Sequence, residues 1–269
     1  MTTPSGGAPT VRTVVDHHVL TVTIDRTDRG NAADRPTTEA LAAVFRDLVD
    51  AADARAVVLR GEGRNLCTGA DLTSVNARDG RPRTGHLVRE LTASFHAAIQ
   101  AVFDCPLPVV VAVKGRAAGF GVHLALAADF AVAARSATFH EPFTERGFNV
   151  DSGGSWLLPR RVGMQRAKQM LYLAEVVDAP TALAWGLVDD VVDDDALDGA
   201  TRTLAERLAS RPSVGLANTK RLLHDHLDGT LQRAMHDEAL AVELAVRSDD
   251  FKEGMRAFVE RRPPEFTGR

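Results

Sequence analysis

From Val19 to Asp25 the chain alternates strictly: Leu20, Val22 and Ile24 fall on one side, Thr21 and Thr23 on the other. That period of two predicts a half-buried strand. Thr38 to Ala52 then places Leu41, Val44, Phe45, Leu48 and Val49 at helical spacing, so an amphipathic helix is expected there. Ala56 to Leu59 is a short apolar run ending in the turn Gly61-Glu62-Gly63. Leu87, Leu91, Phe95, Ala98, Ile99 and Val102 mark a second helix. Pro108 to Val113 is apolar at nearly every position, the mark of a strand covered on both faces. Further readings are a helix at Leu124–Ala128, a strand at Phe130–Ala133, a helix at Met164–Ala174 and a strand at Val188–Val192. From about Ala196 the strand signals stop, and leucines from Leu204 to Leu244 recur at helical spacing.

This order predicts an α/β core followed by a helical C-terminal module, with the composition shift near residues 195 to 205. We divide the 269 residues into a flexible tail (1–10), a core (11–200) and a helical module (201–269). Hydrophobic residues make up 45% of the chain, enough for a sizeable core, and the 25% that are charged argue against disorder. The 32 basic side chains are scattered among 36 acidic ones, so the phosphate-neutralising surface of a nucleic-acid binder is not expected. The tail has neither a basic start nor an apolar run, and Pro108–Val113 is far too short to span a bilayer. A cytoplasmic protein without a membrane partner is the expectation. Cys67 and Cys105 fit reduced thiols, and His224 and His226, two apart on a predicted helix, make a poor metal pair.

Three glycine-bearing segments stand out: Gly61 to Leu72, Gly115 to Asp129 and Asp151 to Gly163. Such turns let a ligand approach the backbone and offer unpaired N–H groups to an anion. Gly115, Gly119 and Gly121 match the G-x-x-x-G-x-G turn of short-chain dehydrogenases, but they lie mid-chain. The partner pair those enzymes need is also absent, because Tyr172 is followed four residues later by Val176. Nicotinamide binding is therefore set aside. No nucleophile elbow or P-loop is present either.

Read in order, Arg29-Gly30-Asn31-Ala32, Cys67-Thr68-Gly69-Ala70-Asp71-Leu72, the Gly115 segment, the Asp151 segment and Glu253-Gly254-Met255-Arg256-Ala257-Phe258 resemble the crotonase (enoyl-CoA hydratase/isomerase) superfamily. The resemblance covers nearly the whole chain. It implies a spiral of ββα turns with a helical trimerisation module, an acyl-CoA thioester as substrate, no permanently bound cofactor and no metal, and a homotrimer or homohexamer. It also implies an oxyanion hole made by the backbone N–H groups of Ala70 and Phe120, which stabilises an enolate. A CoA thioester would then lie against Ala32, Gly69, Ala70, Asp71, Leu72, Gly119 and Phe143. Arg261 is the expected basic residue for a neighbouring subunit's CoA phosphates, with Arg262 and Lys252 as alternatives.

The resemblance breaks at the proton-handling positions. Family hydratases use two glutamates, and the matching positions hold His123 and Phe143. A third position survives as Asp151 in Asp151-Ser152-Gly153-Gly154-Ser155-Trp156-Leu157-Leu158-Pro159-Arg160, which looks most like the 1,2-epoxyphenylacetyl-CoA isomerase branch. Asp151 is thus the expected base of a double-bond isomerase, desolvated by Phe143, Phe148 and Trp156, with His123 as auxiliary group. Asp151 equally suits a helix N-cap. Glu141 and Glu145 flank the lost glutamate position, while Asp71 and Asp129 read as structural. A hydratase with a non-standard residue set and a non-catalytic acyl-CoA binder are the rival functions. Asn76 to Leu91 is expected to shape the acyl pocket.

Overall fold

The computed structural model describes residues 10–48, 53–73 and 85–269. Its centre is a six-stranded sheet in the order β1-β2-β3-β4-β6-β9, formed by Val11–Asp16, Val19–Ile24, Ala56–Gly61, Val109–Val113, Phe130–Ala134 and Asp190–Val192. β1 and β2 pair antiparallel as a hairpin, and every later neighbour pairs parallel. A second sheet joins β5 (Arg116–Ala118), β7 (Thr138–His140) and β8 (Val177–Asp178).

The pleat explains the continuous apolar run at Val109–Val113. Val109, Val111 and Val113 face one core with Val57 and Leu59, whereas Val110 and Ala112 face another with Ala56 and Val58. Successive side chains point to opposite faces, so a strand buried on both needs apolar residues throughout. The first face is covered by α1 (Arg35–Asp47), α3 (Ala97–Phe103) and α4 (Phe120–Ala127). Asp34 starts α1 by accepting the Thr37 N–H at 3.0 Å, and Pro36 sits in its first turn. Such a cap satisfies a donor that the helix itself leaves unpaired.

The second face is sealed by α8 (Leu197–Ala209), whose Leu197, Ala205 and Ala209 pack on β2, β3, β4 and β6. A boundary at residue 200 falls inside this helix. Three more helices follow: α9 (Ser213–Asp225), α10 (Leu231–Ala245) and α11 (Asp249–Glu260). They bury little of their own apolar surface. The chain end is nonetheless tied down, because Asp250 accepts N–H bonds from Thr267 and Gly268, and Arg55 donates to the Phe266 carbonyl.

Between the two sheets of α/β structure run α2 (His86–Leu91), a π-turn at Thr92–His96 and α3, one continuous helical stretch. The remaining helices are α5 (Gly154–Val162), α6 (Met164–Leu173) and α7 (Ala179–Trp185). No helix among the described residues is long and apolar enough to cross a membrane.

Candidate active site

Two backbone donors open onto one cavity. Ala33 and Ala70 form an isolated parallel bridge, in which Ala33 donates to the Gly69 carbonyl and Asp71 donates to the Ala33 carbonyl, both at 2.8 Å. In that geometry the N–H of the middle residue points the other way, so the Ala70 donor is left without a backbone partner. The second donor is Phe120, first residue of α4. Gly119 precedes it at φ 49 and ψ −113, a conformation that only glycine adopts comfortably, and donates to the His140 carbonyl at 2.8 Å. The Phe120 N–H is one of the unpaired donors at a helix start, where the helix dipole also favours negative charge.

Gly121 brings these two segments together. A β-carbon there would sit 2.2 Å from the Cys67 carbonyl oxygen, so the start of α4 lies directly against the 67–70 loop. Gly69, Ala70, Gly119 and Phe120 all line the cavity, whose volume is about 310 Å³. Its remaining walls are mostly apolar, from Leu72, Leu91, Phe95, Phe143 and Phe148. The Phe120 ring is buried edge-on against Phe95, with centroids 5.1 Å apart. Asp151 is the only carboxylate among the described lining residues.

Asp151 does not cap α5. Gly153 occupies the cap position at φ 81 and no side chain bonds there, because Ser152 is also left-handed at φ 46 and displaces the turn by two residues. The Asp151 carbonyl accepts the Gly154 N–H at 2.9 Å, but its carboxylate accepts no hydrogen bond from a described residue. Of the three aromatic rings expected around it, Phe143 and Phe148 line the cavity. Trp156 faces elsewhere, packed edge-on to Phe103 and under the Arg160 guanidinium at 3.9 Å.

His123 lies behind the cavity wall instead of in it. Its ring is 0% exposed, stacked parallel to Phe143 at 5.8 Å, and its Nε2 is 3.1 Å from Glu141 Oε1. The pairing follows from the second sheet. Ala118 is in register with His140, which sets residue 141 beside the first turn of α4. Burial pulls the imidazole's proton affinity down, but the Glu141 charge outweighs it and the net shift is upward. Burial pushes the Glu141 carboxyl up as well.

Other expected residues fall into three groups. Asp71 is ion-paired to Arg26 at 3.1 Å and bonded to Thr73, whose hydroxyl does most to hold its carboxyl below the usual range. Ala32 lies beside the Ala33–Ala70 bridge, its carbonyl accepting from Arg26. Glu145 pairs with His140 at 3.4 Å, and Asp129 pairs with Lys220 at 2.8 Å. Arg262 and Lys252 are engaged by Glu253 and Asp249. Arg261 has no ion-pair partner among the described residues, and it does not line this cavity. Burial pushes the Cys67 and Cys105 thiols to about 11, so neither is a nucleophile. Most of the expected acyl-shaping segment lies outside the described residues, and Leu91 is its member in the cavity wall.

Sequence reasoning gave no role to Arg146 and Asn149, which also line the cavity. They sit in a loop without periodicity, so no pattern marked them. Phe95 was legible only as a core position of a helix. The π-turn that carries it is the kind of local widening frequently found at functional sites.

A family model for enoyl-CoA hydratase/isomerase matches residues 15–269. The chain belongs to that family. Among enoyl-CoA hydratase/isomerase relatives, it is 39% identical over 260 residues to a protein of Rhodobacter capsulatus named "Probable enoyl-CoA hydratase", covering 97% of this chain and 98% of that one. It is 35% identical over 255 residues to the 1,2-epoxyphenylacetyl-CoA isomerase of Escherichia coli, covering 95% and 97%. The crystal structure of enoyl-CoA hydratase from Bacillus anthracis superposes with a TM-score of 0.90 at 27% identity, covering 97% and 100%. The fold is therefore the mixed α/β crotonase fold, with helices at its C-terminus.

Proposed function

We propose that this enzyme isomerises a double bond in an acyl-CoA thioester, with Asp151 as the base. The observation that carries the reading is the cavity itself: two unpaired N–H donors and one carboxylate share it, and its other walls are mainly apolar. The thioester oxygen sits between the Ala70 and Phe120 N–H groups. Asp151 takes a proton from a carbon conjugated with the thioester, and that C–H electron pair passes onto the carbonyl oxygen as an enolate. The two donors stabilise the new charge without having to reorganise, at about 3 kcal/mol for each. The enolate then collapses, and Asp151 returns its proton to a different carbon. No second reactant enters, and one carboxylate suffices for both transfers.

His123 and Phe143 stand where a water-adding pair of glutamates would be required, and neither supplies a carboxylate to the cavity. That favours isomerisation over hydration. The same replacement favours a non-catalytic acyl-CoA binder as the second reading. Incubation of enoyl-CoA thioesters with the enzyme in D₂O separates the three. The isomerase washes deuterium into the conjugated carbons and yields a shifted alkene, and a hydratase consumes the enoyl absorbance without one. A binder does neither. Asp151→Asn is expected to lower isomer formation by on the order of 10²-fold or more, with CoA-thioester affinity and melting temperature retained because Asp151 caps no helix. Full turnover in Asp151→Asn would rule out its role as base.

A further inference from the structure

Behind the cavity wall lies a polar cluster that the proposed proton transfer does not touch. His123 and Glu141 are both fully buried, and although Nε2 and Oε1 are 3.1 Å apart, they lack hydrogen-bond alignment. No other group hydrogen-bonds to either side chain, and the neighbouring Ser152 hydroxyl is buried without a partner as well. The imidazole is held between the Phe143 ring and the backbone of Gly154, where a β-carbon would lie 2.2 Å from Nε2. It therefore presses directly on the turn that carries Asp151.

A lone buried charge is costly, whereas an imidazole and a carboxylate sharing one proton are neutral as a pair. Both groups hold protons more tightly than usual, which keeps that proton in place at neutral pH. The ionisable groups facing the pair are Asp151, whose charge favours the protonated form of both, and His140, which favours the charged form of Glu141. His140 is itself engaged by Arg116 at 2.8 Å and Glu145 at 3.4 Å. Because coupling between sites is reciprocal, a charged imidazole at 123 favours a charged carboxylate at 151.

We propose that His123 and Glu141 are positioning residues for Asp151: a one-proton pair that braces the Val150–Gly154 turn and presents positive charge to the Asp151 carboxylate from behind. This rests on Asp151 being the base. The pair reaches the substrate only through that carboxylate.

The test is the pH profile of deuterium exchange into an enoyl-CoA by the intact enzyme, compared with Glu141→Gln and His123→Gln. Both variants are expected to lose roughly three- to tenfold at the acid end and to recover as pH rises, the equivalent of half to one pH unit in the acid limb. A uniform loss with an unmoved limb means packing alone and overturns the proposal. Should either variant fail to fold, ¹⁵N-histidine NMR of the wild type answers the same question. One of the nine imidazoles, identified by its contact with the Phe143 ring, is expected to remain protonated at pH 8. A neutral imidazole there overturns the proposal. Full exchange by Asp151→Asn removes the base reading and this inference together, whereas an inactive Asp151→Asn with an unmoved limb in the pair variants removes only the inference.

Discussion

Gly154 leaves open the space that the His123 ring fills. A methyl group at 154 would meet Nε2 at 2.2 Å and Val150 Cγ2 at 2.7 Å, and both neighbours are packed in place. Gly154 is the first residue of α5 and its backbone is already helical, so Gly→Ala there would otherwise stabilise by about 0.4–1 kcal/mol. The clash reverses the sign. Gly154→Ala is expected to lose about 1–3 kcal/mol by chemical denaturation, with part of that loss recovered in a His123→Ala background. A stabilised Gly154→Ala would contradict the packing described.

Gly119 tests the oxyanion donor through its backbone. A β-carbon at 119 would make only ordinary contact with the Phe143 ring, 3.6 Å away. The cost of Gly119→Ala is therefore conformational, about 1–3 kcal/mol for a residue forced into φ 49 and ψ −113. If the chain relaxes, the Phe120 N–H turns with it. Turnover is then expected to fall by roughly 10²–10³-fold, with thioester affinity changing far less. Equal losses in kcat and affinity would point to general damage to the cavity.

The fold was legible wherever burial is uniform or strictly periodic. Val19–Ile24, Ala56–Gly61 and Val109–Val113 were readable because a sheet face imposes period two or a wholly apolar run. The three-residue strands Arg116–Ala118 and Thr138–His140 were not, since a pattern of two needs more positions to show itself. Helix α4 begins at Phe120, four residues before the helical reading at Leu124. All eight of its residues are buried, so it has no polar face to mark its phase. The two donors and Asp151 were found by motif. The partner of His123 was not, because it depends on the Ala118–His140 register, a contact 22 residues apart in the chain. Asp151 read equally well as a cap, and only the left-handed Ser152 backbone decides against that.

The buried pair makes stability depend on pH with a definite sign. Both His123 and Glu141 hold protons more tightly in the folded chain than their ordinary values of 6.5 and 4.5. Their contribution is therefore complete below those values and is lost as pH rises through the folded ones. Denaturant midpoints of the wild type are expected to fall more steeply between mildly acidic and alkaline pH than those of the His123→Gln/Glu141→Gln double variant. Parallel curves would show that the pair binds no extra proton on folding.

The C-terminal helices leave large apolar side chains in water within a single chain. Leu231 is 77% exposed, Phe258 80% and Val259 76%, alongside Met235 and Leu244. Surfaces of this kind mark association sites. Sedimentation is expected to show a trimer or hexamer, and Leu231→Asp combined with Phe258→Asp to yield a smaller species that still folds. A wild-type monomer at micromolar concentration would exclude that assembly.

The π-turn at Thr92–His96 makes the cavity a matter of phase. A π-turn is in effect one extra residue wound into an α-helix. Deleting a single residue from 92–96 would restore regular winding, while Ala98, Ile99 and Val102 stay fixed in the core. Everything before the deletion, Leu91 included, would rotate by about 100° relative to that anchor, one residue's share of a helical turn. The space left for the acyl chain would change without any lining side chain being replaced. Insertions and deletions of one residue in this stretch are therefore a route by which relatives of this chain can acquire different substrates while keeping the same donors and the same base.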